Sequence, residues 1–86
     1  MKCIVVYQEN NPKLAGRLYI ELVNALTKNG IDILRMSTVL NVIDTPHTYT
    51  QFVTDPNKMK GRRPDIVFSN DTIDPVLNYI LKEENG

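Results

Sequence analysis

Ile66-Val67-Phe68 is an apolar run with no polar residue inside it. The basic turn Lys60-Gly61-Arg62-Arg63-Pro64 leads into it, and Ser69-Asn70-Asp71 leads out. A strand with no polar face is predicted to be covered on both sides, which puts it in the middle of a parallel sheet. Such sheets bind ligands at the carboxyl ends of their strands. That reasoning makes Asn70 and Asp71 candidate binding residues.

Cys3 to Tyr7 is a second continuous apolar run, rich in β-branched residues, and reads as another covered strand. After the polar turn Gln8-Glu9-Asn10-Asn11, Asn11 is a predicted helix N-cap, with Pro12 where a missing N–H costs nothing. Leu14, Ala15, Leu18, Leu22, Ala25 and Leu26 then form a stripe of helical period, widened by Tyr19 and Val23. Gly16 costs about 1 kcal/mol against alanine in a helix, and close approach to a strand is the packing reason expected for it. Asn29-Gly30 ends the helix, with Gly30 suited to the left-handed position.

Ile31 to Met36 reads as the next strand, so residues 3–36 are expected to form a βαβ unit with parallel strands and a right-handed crossover. Between Ser37 and Thr48, the residues Val39, Leu40, Val42 and Ile43 fit either a short strand or one helical turn; Thr45-Pro46 ends either one. Tyr49 to Val53 alternates as an edge strand does. Asp55-Pro56-Asn57 is a turn, and Lys58 to Gly61 a single helical turn. Asp74-Pro75 repeats the cap-plus-proline start, and Val76, Leu77, Ile80 and Leu81 give the last helix an apolar face. The order β-α-β-β-β-α predicts one α/β domain over residues 1–86, a small mostly parallel sheet with helices packed on it.

Ten basic residues balance ten acidic ones, so no global field draws the chain to nucleic acid or membrane. The hydrophobic content of 42% is that of a globular protein and argues against a disordered tail. With Cys3 the single cysteine, no internal disulfide forms, and its place in an apolar strand predicts a buried, inert thiol. The chain opens directly on a strand and holds no apolar run of membrane-spanning length, so a soluble cytoplasmic protein is expected.

Lys60-Gly61-Arg62-Arg63 followed by Asp65-Ile66-Val67-Phe68-Ser69-Asn70-Asp71 resembles the second nucleotide-binding strand of P-loop NTPases of the helicase and phage terminase kind. There a glycine-arginine turn enters an apolar strand that ends in two acidic residues. In outline the resemblance covers most of residues 3–71; its specific part is the last dozen. The departures are in the chemistry. Where the family has a Gly-rich loop ending in Gly-Lys-Ser/Thr, this chain has Gln8-Glu9-Asn10-Asn11-Pro12-Lys13, with a carboxylate in the phosphate position and no glycine. Asn70 falls on the metal-holding aspartate and Asp71 on the catalytic glutamate, and an amide holds magnesium far less well than a carboxylate. The resemblance therefore implies a reduced, inactive relative of that core without nucleotide hydrolysis. Small α/β proteins of this outline are common among phage open reading frames, so a phage-encoded protein is expected, and no cofactor is.

Asp65, Asp71 and Asp74 are weighed as a carboxylate cluster; helix capping by Asp74 and dipole complementation by Asp71 account for the last two without a metal. His47 has no second histidine or nucleophile to work with and reads as a solvent-exposed loop residue. Lys58, Lys60, Arg62 and Arg63 are the densest charge in the chain. They suit an acidic protein surface or phosphates, with Tyr49 and Phe52 as a nearby stacking face. The expected function is a non-enzymatic binding protein that contacts another protein or a second copy of itself. The alternative is a nucleotide- or nucleic-acid-binding protein using the Lys58–Arg63 turn and the carboxyl end of the sheet. A metal-dependent hydrolase on Asp71 and Asp74 is a third reading.

Overall fold

The computed structural model describes residues 1–59 and 63–86, apart from the side chain of Met59. The elements are β1 (Lys2–Tyr7), α1 (Pro12–Lys28), β2 (Arg35–Ser37), β3 (Val42–Asp44), β4 (Thr48–Val53), a 3-10 turn (Pro56–Met59), β5 (Ile66–Phe68) and α2 (Asp74–Asn85). Among these residues no helix is long and apolar enough to cross a membrane.

Both ends of α1 follow from local chemistry. The Asn11 side chain accepts the Leu14 N–H at 3.1 Å, and Pro12 opens the helix. At the far end Gly30 takes a φ of 75°, its N–H bonds the Thr27 carbonyl, and the Ile31 N–H bonds that of Leu26. This is a Schellman close, and it needs the left-handed residue that glycine supplies. α2 starts differently from expectation. Its N-cap is Ile73 and no side chain caps it; Asp74 lies one residue inside, where its charge still suits the positive end.

The sheet has five strands in the order β2-β3-β4-β1-β5 and is mixed, not mostly parallel. β1 pairs in parallel with β4 and β5, while β2, β3 and β4 form an antiparallel meander. Two expectations are corrected here. Ile31 to Leu34 has no strand assignment, and Arg35–Ser37 is an antiparallel edge, so residues 3–36 do not form a parallel βαβ unit. Ile31 and Ile33 pack on the core without joining the sheet, so an apolar sequence here reflects packing on the core and not strand pairing. Tyr49 to Val53 was expected at an edge; β4 instead lies between β1 and β3. The uncertain stretch resolves as strand at Val42–Asp44, with Val39 and Leu40 exposed in the preceding turn.

Ile66-Val67-Phe68 is also corrected. The central strand is β1, whose Ile4, Val5 and Val6 are buried; β5 is an edge, with Val67 43% exposed. Three residues cannot distinguish a strand covered on two faces from an edge strand that leaves its middle side chain open.

Register puts Ile4, Val6, Ile43, Phe52, Ile66 and Phe68 on one face. Both helices cover that face: Leu18, Tyr19, Leu22 and Leu26 of α1 and Val76 and Ile80 of α2 join the same cluster. Tyr19 meets Phe52 edge-on at 5.5 Å and Phe68 meets Tyr79 at 6.0 Å. Gly16 points away from all this, and a Cβ there would meet nothing within 4 Å, so no close approach to a strand requires it. Cys3 is half-buried, with its N–H donating to Asp65 Oδ2 at 2.7 Å.

Candidate functional site

All three parallel strands point their carboxyl ends the same way, and the turn between β2 and β3 lies at that end as well, because the Phe52 N–H bonds the Asn41 carbonyl at 2.9 Å. Asn41 turns the chain there at a φ of 56°, a left-handed conformation that asparagine tolerates better than most residues. Between this turn and the start of the 3-10 turn lies a cleft of about 270 Å³ lined by Asn41, Gln51, Thr54, Asp55 and Lys58. Val39 and Leu40 form its apolar rim. Gln51 Oε1 is buried with no hydrogen-bond partner, an acceptor whose desolvation is uncompensated. Asp55 is engaged locally: its carboxylate accepts the Asn57 N–H at 2.9 Å and its carbonyl accepts that of Lys58 at 3.0 Å.

On the other side of β1 the carboxyl end is closed. Gln8 is buried, and its amide donates to the Asn70 carbonyl at 2.6 Å. The loop that the P-loop resemblance aligns with a phosphate cradle spends three of its N–H groups on protein: Gln8 on Val53, Asn10 on Thr54 and Asn11 on Gln8. Desolvation, then the carboxylates of Glu9 and Asp55, push the Tyr7 phenol above its ordinary value.

The structure disperses the residues singled out in the sequence. Lys58 lines the cleft, Arg63 is exposed, and Asn70 and Asp71 are exposed beyond β5, separated from the cleft by β1. Lys60, Gly61 and Arg62 lie outside the described residues, so the helical turn expected over Lys58–Gly61 is described only as Pro56–Met59. Asp65 is tied to Cys3, and among the described residues no three His, Cys, Asp or Glu side chains gather as metal ligands. His47 is exposed in the turn between β3 and β4, with Nε2 3.9 Å from Glu84 Oε2.

A second feature lies along the open edge of the sheet. A groove of about 290 Å³ runs between α1 and β2, lined by Tyr19, Ile20, Val23, Asn24, Met36 and Thr38. Beside it Ile20, Leu34 and Met36 are 61%, 65% and 58% exposed. Sequence reasoning missed this border. Its one signal is Ile20, an apolar residue standing just outside the α1 stripe, next to Glu21. Compared with protein-family models, with curated proteins and with solved structures, the chain matches none.

Proposed function

We propose that this chain is a small non-enzymatic binding protein that acts by docking protein on the α1–β2 border. The observation that carries the reading is the run of large apolar side chains, Ile20, Leu34 and Met36, left in water beside a groove at an unpaired sheet edge. Scattered apolar exposure is ordinary, but a contiguous patch next to an open strand favours a protein contact. The test is capture from the native cell with tagged wild-type and Met36→Asp baits. One stoichiometric protein, either a different chain or an untagged copy of this one, should come down with the wild type and be lost with the variant. Recovery of nucleic acid instead, or equal recovery by both baits, overturns the reading.

The cleft at the carboxyl end of β4 favours a second reading, a small polar ligand such as a nucleotide. Its support is the unpartnered Oε1 of Gln51, a residue that lines the cleft together with Lys58. A ligand N–H would satisfy that acceptor, and Lys58 would meet phosphate. Calorimetric titration with nucleotides and short DNA at low salt tests it. Saturable binding lost in Gln51→Leu supports it, and absence of binding at millimolar ligand rejects it.

A further inference from the structure

We propose that the occupant of the α1–β2 border is a second copy of this chain, joined β2 to β2 in antiparallel fashion so that the two sheets continue into one. The inference rests on the docking reading above and names its partner.

Among the described residues β2 pairs with β3 alone, so its outer side presents unsatisfied backbone groups. β2 is short, which limits the edge, but the side chains that usually blunt one do little here. Arg35-Met36-Ser37 holds no proline, and its single charge, Arg35, is drawn back across the sheet by Asp44 at 2.8 Å. A formal net charge of zero adds no repulsion between copies.

The geometry is self-complementary. In a two-fold antiparallel pair centred on the middle residue of the strand, Met36 of each copy faces Met36 of the other, and Arg35 faces Ser37. Register puts Met36 on the helix-covered face with Ile43. The two thioethers therefore meet beside the open groove of each copy, and unbranched methionine fills such irregular space well. Ile20, Leu34 and Met36 leave on the order of 400 Å² of largely apolar surface per copy in water. A standard interface buries about 800 Å² per partner, and the β2 backbone with Asn24 and Thr38 at the rim supplies polar surface to complete it.

The test is sedimentation equilibrium on the full chain across a wide concentration range, with Met36→Asp alongside. Wild type should shift from monomer to dimer with rising concentration, and its Tm should rise in step. Met36→Asp should stay monomeric, with a folded circular-dichroism spectrum and a Tm independent of concentration. In a Cys3→Ser background, Met36→Cys chains should be joined to each other by a short bismaleimide, since opposed Cβ atoms lie only about 4.5–5.5 Å apart. A wild type that stays monomeric at all concentrations overturns the proposal, as does a dimer that survives Met36→Asp or a Met36→Cys chain that never cross-links. If the wild type is monomeric yet captures a different protein that Met36→Asp loses, the docking reading stands and only the self-pairing falls. If neither association nor capture responds to Met36→Asp, both fall.

Discussion

Tyr19 connects α1 to two strands: its ring edge lies on Phe52, and its hydroxyl donates to the Val42 carbonyl at 3.2 Å. Burial pushes its phenol above the ordinary value of 10.0, opposed in part by a hydrogen bond from the Ser37 backbone. The fold thus holds this proton more tightly than the unfolded chain does. Its contribution to stability is complete below about pH 10 and is lost as pH rises through the folded value. Tyr19→Phe should cost about 1 kcal/mol at pH 7 and should make the alkaline fall in stability shallower; urea unfolding at a series of pH values measures both. Gly16 presents the opposite case, a residue the fold does not need. It is exposed within α1 and a Cβ there meets nothing, so Gly16→Ala should stabilise by about 0.5–1 kcal/mol, read as a higher Tm at unchanged cooperativity.

α2 is anchored at its last turn as well as along its apolar face. The Glu84 side chain is only 5% exposed; one of its oxygens accepts from the Thr45 hydroxyl and from the His47 N–H at 3.0 Å. A carboxylate at the negative end of a helix is disfavoured by the dipole, so these bonds to the β3–β4 turn are what keep it there. Glu84→Ala should cost about 1 kcal/mol by removing these bonds, the Thr45 hydroxyl keeping the Thr48 carbonyl as an acceptor. Glu84→Gln, which keeps an acceptor oxygen, should cost less, and chemical denaturation of the two variants separates them.

What could be read in the sequence at this scale was local. Asn11, Pro12 and Gly30 mark the ends of α1 because capping is decided within a few residues. Which strand sits in the middle is decided by partners far along the chain, so Ile66-Val67-Phe68 and Cys3 to Tyr7 look alike in sequence although one is an edge and the other the centre. Of the candidate site, Lys58 was legible as charge. Gln51 was not, because a glutamine in an alternating strand carries no mark of whether its oxygen will find a donor.

For the molecule as a whole, β1 is paired with β4 along its whole length and with β5 at Ile4–Val6, while β2 and β5 are three-residue edges. Native-state hydrogen exchange should therefore be slowest at Ile4, Val5, Val6 and the facing residues of β4, and markedly faster at Met36 and Val67. Equal protection across all five strands would mean that the edges are covered in solution. The same topology governs assembly in time. Among the described strands β1 is made first, yet its two neighbours are β4 and, last of the five, β5. Until residue 66 is free the central strand lacks one of its partners, and the sections able to organise earlier are α1 and the β2-β3-β4 meander. The domain must keep its central strand waiting until β5 has been made, so folding is completed only after residue 66 has emerged.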